Sequence, residues 1–132
     1  MARIILVDDE PVSARLACDY LYDAGHAVGC VTDSREALAI LTRRPPHLVI
    51  LDCAMPHVSG VQLLLAMRDH PTLASIPVLM LTARKSDRDE AIAFGAGADD
   101  YLRKPVDHDE LLGRVDALLI RHQPAPKRAA VR

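Results

Sequence analysis

The chain has 132 residues, of which 50% are hydrophobic and 26% charged, with a formal net charge of −2. This length suits one domain with its own buried core, and the weak charge gives no general attraction to nucleic acid. No apolar run approaches the roughly 20 residues of a membrane-spanning helix, and the first residues lack a signal-peptide pattern. We therefore expect a cytoplasmic protein that binds neither membranes nor nucleic acid directly.

Strand-like and helix-like segments alternate five times along the chain. Each strand-like segment is a short apolar run, and the helix-like segments carry apolar residues at helical spacing. Pro11 marks the start of the first helix, Gly25 its end, and Asp33 or Ser34 the cap of the second. The predicted strands cover residues 4–7, 27–31, 48–51, 76–81 and 100–103. The predicted helices cover residues 12–24, 34–44, 61–69, 91–94 and 107–121.

This alternation predicts an α/β domain over residues 1–122, with a parallel sheet that is covered by helices on both faces. The third strand is apolar throughout, which is typical of a strand buried on both sides. Residues 123–132 contain prolines and basic residues without apolar periodicity. We expect them to form a flexible tail or the root of a linker.

Polar side chains follow four of the five predicted strands. Asp8 and Asp9 follow the first strand, Asp52 the third, Thr82 the fourth and Lys104 the fifth. Ligands of an open parallel sheet bind at the carboxyl ends of its strands. If the first and third strands are neighbours, the three aspartates converge, and a divalent cation relieves their repulsion. Oxygen ligands favour Mg²⁺ or Mn²⁺, and the lysine adds a mobile positive charge.

Taken together, these residues resemble the receiver domain of two-component response regulators, and the chain is similar to the single-domain chemotaxis type. The resemblance covers about residues 2–121. It rests on Asp8-Asp9, Leu51-Asp52 with Met55-Pro56 and Gly60, Leu81-Thr82-Ala83, and the run from Gly97 to Pro105. It implies a flavodoxin-like (βα)5 fold, which is a three-layer sandwich with the parallel strand order 2-1-3-4-5.

The resemblance implies that Asp52 accepts a phosphoryl group from a phosphohistidine on a sensor histidine kinase or a histidine phosphotransfer protein. The chain would then be a phosphoacceptor in a phosphorelay rather than an enzyme. In this family pattern Asp9 and Asp52 bind Mg²⁺ directly, Asp8 binds it through water, and the backbone carbonyl of Ala54 completes the protein ligands. Lys104 holds the phosphoryl oxygens, and Mn²⁺ is an alternative cation.

The resemblance also implies a conformational switch formed by Thr82 and Tyr101. Thr82 turns its hydroxyl toward the new phosphoryl group, Tyr101 moves inward, and the face made by the fourth helix, fifth strand and fifth helix changes. This face would control a downstream protein or an output domain, and a homodimer on phosphorylation is an open alternative. The family pattern further implies a cis peptide bond between Lys104 and Pro105.

Several other polar residues have simpler interpretations. Asp99 and Asp100 lie at the opposite end of the fifth strand, where we expect solvated or interface charges. In a dimer, Asp100 would pair between molecules with Arg84, Lys85, Arg103 or Arg114. His57 is expected to be an exposed loop residue. The cysteines Cys18, Cys30 and Cys53 show no ligand spacing, and we expect them to be buried as small hydrophobic residues.

Three other functions fit the sequence less well. A phosphatase with an aspartyl nucleophile needs a second carboxylate two residues after Asp52, where this chain has Ala54. A flavodoxin-like cofactor binder needs glycine, hydroxyl side chains and free N–H groups after the first strand, but residues 8–10 are acidic. A degenerate receiver that acts only as an interaction scaffold is an open alternative, against which the complete set of site residues argues.

Overall fold

The computed structural model describes residues 2–83 and 87–122, without the side chain of Asp87. Five strands and five helices alternate along this part of the chain. The strands are β1 (Arg3–Val7), β2 (Ala27–Val31), β3 (Leu48–Asp52), β4 (Val78–Thr82) and β5 (Asp100–Arg103). The helices are α1 (Pro11–Asp23), α2 (Ser34–Arg43), α3 (Gly60–Asp69), α4 (Asp87–Gly95) and α5 (His108–Arg121). Arg84, Lys85 and the predicted tail at 123–132 lie outside the described residues.

The strands form one parallel sheet in the order β2-β1-β3-β4-β5. This confirms the predicted fold class and the strand order that the resemblance implied. Strands β1 and β3 are neighbours, with Val7 opposite Leu51. Asp8 follows Val7 and Asp52 follows Leu51, so the two aspartates lie side by side at the carboxyl edge of the sheet. This arrangement is the one for which the sequence predicted that the aspartates converge.

Hydrophobic side chains on the two faces of the sheet form two separate cores. Leu6 and Ile50 lie in the core that contains residues of α1 and α5. Val7 and Leu51 lie in the second core, together with residues of α2 and α3. Every residue of β3 is buried, as predicted for a strand covered on both sides. The helix layers on both faces make the domain a three-layer sandwich.

Two boundaries differ from the prediction by more than one residue. Helix α4 begins at Asp87 rather than at residue 91. Residues 87–90 are all charged, so they show no apolar periodicity from which a helix could be predicted, although charged residues are compatible with a helix. Strand β4 begins at Val78 rather than at residue 76. Pro77 precedes the strand because it has no N–H for the ladder, while its carbonyl accepts a hydrogen bond from the Val49 N–H at 3.0 Å.

The helix ends follow the predicted capping chemistry. The Asp33 carboxylate, rather than Ser34, caps α2 by accepting from the Arg35 N–H at 3.0 Å. Pro11 is the first residue of α1, and Gly25 follows that helix with a φ of 95°, which favours glycine. Among the described helices, none has the length and apolar content needed to span a membrane.

Candidate functional site

Asp8 lies directly after β1 and is fully buried. Its Oδ1 accepts a hydrogen bond from the Glu10 N–H at 3.0 Å, and its Oδ2 accepts one from Lys104 Nζ at 2.8 Å. The Asp8 N–H donates to the Val31 carbonyl at 3.0 Å, which ties it to the end of β2. A carboxylate buried without partners is costly. These bonds therefore hold Asp8 in one orientation.

Asp52 is the last residue of β3 and is 6% exposed. Its Oδ1 lies 3.5 Å from Lys104 Nζ, so it contacts the lysine less closely than Asp8 does. Lys104 follows β5 in the chain. Its side chain passes the carboxyl end of β4 to contact Asp52 on β3, and it passes β3 as well to contact Asp8 after β1. One ammonium group thus faces the carboxylates of two neighbouring central strands.

Asp9 completes a cluster of three carboxylates. One oxygen from each of Asp8, Asp9 and Asp52 lies within 4.8 Å of the other two, and Asp9 is the most exposed of the three. Such a set of oxygen donors, open to solvent on one side, fits a small divalent cation that keeps some of its waters. The residues present therefore fit the Mg²⁺ that receiver domains bind at an acidic pocket.

The electrostatics of the site follow from burial and crowding. Burial raises the pKa of Asp52 to about 6, and the charges of Asp8 and Asp9 add to this, while Lys104 opposes it. For Lys104 burial acts to lower the pKa, but the hydrogen bond with Asp8 and the charges of Asp52 and Asp8 outweigh it and raise the pKa. The lysine therefore stays protonated, and a bound cation would favour the ionised form of Asp52.

Thr82 ends β4 and is 1% exposed. Its carbonyl accepts a hydrogen bond from the Lys104 N–H at 2.7 Å, so β4 and β5 hold the threonine and the lysine side by side. The Lys104–Pro105 peptide bond is cis, as the family pattern implied. Thr82 and Ala54 line a common cleft of about 600 Å³ next to Asp52. The predicted site residues are thus brought together at one edge of the sheet.

Tyr101 lies in β5 with its ring inside the protein, only 6% exposed. Its hydroxyl is buried and has no hydrogen-bond partner among the described residues. Burial raises the pKa of Tyr101, and the Thr82 side chain opposes this because it lies close to the Tyr101 hydroxyl, although outside hydrogen-bond geometry. The family pattern places such a ring inward after phosphorylation, and here it is already inward. The ring centroid of Tyr101 lies 6.4 Å from that of Phe94, so this contact connects β5 with α4.

Ser34 anchors the loop between β3 and α3, a role that the sequence did not reveal. Its side chain is buried, and its hydroxyl donates to the Pro56 carbonyl at 2.9 Å and accepts from the Val58 N–H at 3.2 Å. The sequence signal at this position indicated only a helix cap. The partners lie more than 20 residues away in the chain, so no local pattern could show them.

Gly60 allows α3 to begin directly behind the acceptor strand. Its N–H donates to the Cys53 carbonyl at 3.0 Å. A Cβ at this position would clash with the backbone oxygen of Asp52 and stand 2.9 Å from the Cα of Cys53. The glycine in the family motif is therefore explained by close backbone approach rather than by an unusual φ.

Asp99 and Asp100 are paired within the chain and only partly exposed, so neither is a simply solvated charge, and their role at an interface stays a prediction. Asp99 Oδ2 accepts from the Val78 N–H at 2.8 Å and from Arg68 Nη2 at 3.0 Å. Asp100 Oδ1 accepts from Arg114 Nη1 at 2.6 Å. Both contacts join residues far apart in the chain, which a search of local sequence patterns does not detect. They brace the amino end of β5, opposite the site.

The minor predictions had mixed outcomes. His57 is an exposed loop residue, as expected, with a φ of 70°. The cysteines are not uniformly buried: Cys18 and Cys53 are half-buried and Cys30 is exposed. Cys30 lies near the end of the edge strand β2, where one side of the sheet has no neighbouring strand to cover it.

The fold and the site define a flavodoxin-like α/β domain with an acidic pocket at the carboxyl edge of its sheet. Residues 4–116 match the profile of the response regulator receiver domain. The chain therefore belongs to the receiver domain family of two-component response regulators, which confirms the resemblance.

Named relatives and solved structures agree with this assignment. The chain is 40% identical over 129 residues to the DNA-binding dual master transcriptional regulator RpaA of Synechocystis, covering 98% of this chain and 54% of the relative. It is 36% identical over 124 residues to the phosphate regulon transcriptional regulatory protein PhoB of Rhizobium meliloti, covering 94% of this chain and 55% of that protein. The chain thus spans about half the length of these curated relatives.

Solved receiver structures have the same fold. A putative response regulator from Chloroflexus aurantiacus superposes with a TM-score of 0.88 at 34% identity, covering 91% of this chain and 98% of that one. The chemotaxis protein CheY4 of Vibrio cholerae superposes with a TM-score of 0.84 at 30% identity, covering 89% and 98%.

Proposed function

We propose that Asp52 is the phosphoacceptor of this receiver domain. The observation that carries the proposal is the convergence of Asp8, Asp9 and Asp52 within 4.8 Å, with Lys104 Nζ 3.5 Å from Asp52. Phosphoryl transfer requires mainly the positioning of the reactants and the spreading of charge, which these groups supply. An oxygen of Asp52 attacks the phosphorus of a phosphohistidine, the P–N bond breaks, and the imidazole leaves as an acyl phosphate forms.

Asp52 suits this role better than its two neighbours. Both oxygens of Asp8 are engaged, one by the Glu10 N–H and one by Lys104. Asp9 lies in the loop beyond β1 and is more exposed, so it is less firmly positioned. Asp52 ends the central strand β3, which holds it in place. The two residues that follow it, Cys53 and Ala54, line a cleft together with Thr82, and this cleft would give an incoming donor a route toward Asp52.

The same carboxylates would hold Mg²⁺, or Mn²⁺, together with the backbone carbonyl of Ala54. When bound, the cation supplies positive charge to the phosphoryl oxygens and lowers the repulsion among the three aspartates. Ala54 offers no carboxyl group to act as a general acid in hydrolysis. This supports a phosphoacceptor role and speaks against an aspartyl phosphatase.

Lys104 and Thr82 would bind the phosphoryl oxygens once the acyl phosphate has formed. The lysine already lies between Asp8 and Asp52, so it needs only a small shift toward Asp52. Thr82 lies beside it on β4, and Tyr101 contacts the region of α4. We infer that the threonine and tyrosine transmit the event to the face formed by α4, β5 and α5.

The partners follow from the family and from the length of the relatives. A histidine kinase or a histidine phosphotransfer protein would donate the phosphoryl group, and residues 1–122 would form the receiver. The curated relatives are named as transcriptional regulators and are about twice as long as this chain. A transcriptional output through a downstream protein or an output domain is therefore our proposal, with residues 123–132 as a tail or linker root.

The test is phosphorylation by a small phosphodonor in the presence of Mg²⁺. We expect the intact mass to rise by one phosphoryl group in the natural chain, and no rise in Asp52→Asn. Asp69→Asn removes an exposed carboxylate on α3 and serves as the matched control, which should be labelled normally. Reduction of the acyl phosphate with borohydride and peptide mapping locates the group. Labelling that persists in Asp52→Asn refutes the assignment.

A further inference from the structure

Two of the three cysteines face each other across α1 and β2. Cys18 is half-buried on α1, and it packs against the same core as Val28 of β2. Cys30 follows Val28 by two residues on the same strand, and side chains two apart in a strand point to the same face. Cys30 therefore points toward α1, and it is exposed because β2 is an edge strand.

Helix α1 packs against β2, and this contact brings the side chains of Cys18 and Cys30 near each other. Both are free cysteines. Burial, together with the neighbouring Cys30, raises the pKa of Cys18 to about 12. Cys18 thus stays a protonated thiol at neutral pH, and Cys30 is the sulfur that a soluble oxidant reaches first.

We propose that Cys18 and Cys30 are a redox-sensitive pair that closes to a reversible intramolecular disulfide when the protein meets a peroxide. The Cys30 thiolate attacks one peroxide oxygen, which gives a sulfenic acid and releases hydroxide. The Cys18 sulfur then displaces the hydroxyl group of this sulfenic acid, and the thiol proton leaves with it as water. In total, two thiols and one hydrogen peroxide give one disulfide and two waters.

The pair occupies a place where a covalent bond has structural consequences. Helix α1 begins at Pro11, two residues after Asp9 of the carboxylate cluster. The carbonyl of Val31, the last residue of β2, accepts a hydrogen bond from the Asp8 N–H. A bond from Cys18 to Cys30 would tie the helix that leaves the site to the strand that supports Asp8. It would restrict relative movement of these two elements without entering the site. The disulfide proposal does not depend on phosphorylation of Asp52.

The experiment counts thiols before and after oxidation of the full chain. The reduced protein is treated with hydrogen peroxide, excess oxidant is removed, and the protein is unfolded and alkylated. We expect alkylation to fall from three cysteines to one, because only Cys53 keeps its thiol. Peptide mapping should show a linked pair of peptides carrying Cys18 and Cys30. Reduction with dithiothreitol should restore three alkylated cysteines.

Matched variants separate the pair from general oxidation. Cys53→Ser should still form the bond, whereas Cys18→Ser and Cys30→Ser should each keep Cys53 alkylatable and show no linked peptides. The proposal is overturned if all three cysteines stay alkylatable, if Cys30 is found only as a higher oxide, or if the linkage joins two separate molecules. A bond that dithiothreitol does not reverse also overturns it.

Discussion

Lys104 Nζ donates a hydrogen bond to Asp8 Oδ2 at 2.8 Å, and these two residues are 96 positions apart in the chain. The contact connects the last strand of the sheet with the first across the site. It also places the only ammonium group among the described site residues between two buried carboxylates. The lysine therefore stabilises the two buried carboxylates when no cation is bound.

Removal of this lysine should destabilise the metal-free protein. Lys104→Met leaves Asp8 without its cationic partner in a buried site, and we expect the free energy of unfolding to fall by about 3 kcal/mol. Mg²⁺ should recover part of the loss, because a cation replaces the missing charge. Urea denaturation with and without Mg²⁺ measures both effects.

The control for this prediction is Arg15→Met. Arg15 pairs with Asp19 on the exposed surface of α1, at 3.5 Å with side-chain exposures of 82% and 60%. Exposed pairs contribute little, so we expect a change below about 0.5 kcal/mol. Equal losses in the two variants would contradict the stabilising role of Lys104.

The raised pKa of Asp52 should make the stability of the metal-free protein depend on pH. Its pKa is about 6 in the folded state, against an ordinary value near 3.9 in the unfolded chain. The folded state therefore binds the proton more tightly, and the stability that this contributes is lost as pH rises from about 4 to about 7. The loss amounts to about 2–3 kcal/mol for a shift of about two pH units.

Asp52→Asn tests this because the amide does not titrate. The stability of the variant relative to the natural protein should increase over this pH range, as measured by urea denaturation without divalent ions. Asp33→Asn is the control: the pKa of Asp33 is lowered to about 2, so its stability contribution is lost only as pH falls from about 4 to about 2. The difference in free energy of unfolding between Asp33→Asn and the natural protein should therefore stay constant from about pH 4 to about pH 7. If the same difference for Asp52→Asn were also constant, the prediction would be wrong.

Gly60→Ala should destabilise the protein, because the added Cβ meets the backbone of Asp52 and Cys53. Backbone cannot rotate away as a side chain can, so we expect a loss of about 2–3 kcal/mol and slower phosphorylation. Gly113→Ala is the control in α5, where no atom lies within 4 Å of the added Cβ. It should stabilise the helix by up to about 1 kcal/mol. Thermal unfolding measures the stability of both variants. If Gly60→Ala were as stable as the natural protein, the backbone around Asp52 and Cys53 would have moved to accommodate the added Cβ.

Tyr101→Phe should leave stability unchanged or raise it by up to about 1 kcal/mol. The hydroxyl is buried and has no hydrogen-bond partner in the part of the chain that the structure describes, so its removal abolishes a desolvation cost. Tyr101→Ala should lose about 3–5 kcal/mol because it leaves a cavity. Chemical denaturation compares the two. A loss above 1 kcal/mol in Tyr101→Phe would mean that the hydroxyl is hydrogen-bonded in solution.

The sequence by itself determined the class of fold and the set of candidate site residues. Short apolar runs predict buried strands because a parallel sheet covered on both faces needs them, as β3 shows at every residue. The polar residues Asp8, Asp9, Asp52, Thr82 and Lys104 were visible because each interrupts or follows such a run. Parallel strands then bring their carboxyl ends to one edge, so local pattern and general topology were sufficient.

Only the tertiary structure decided which of these residues touch and what holds them. Lys104 pairs more closely with Asp8 than with Asp52, Ser34 fastens the loop after Asp52, and Asp99 binds Arg68 rather than solvent. The facing cysteines Cys18 and Cys30 belong to the same group of facts. Such contacts depend on which faces of distant elements meet and at what register. Apolar periodicity specifies the buried face of an element, but it does not specify its partners.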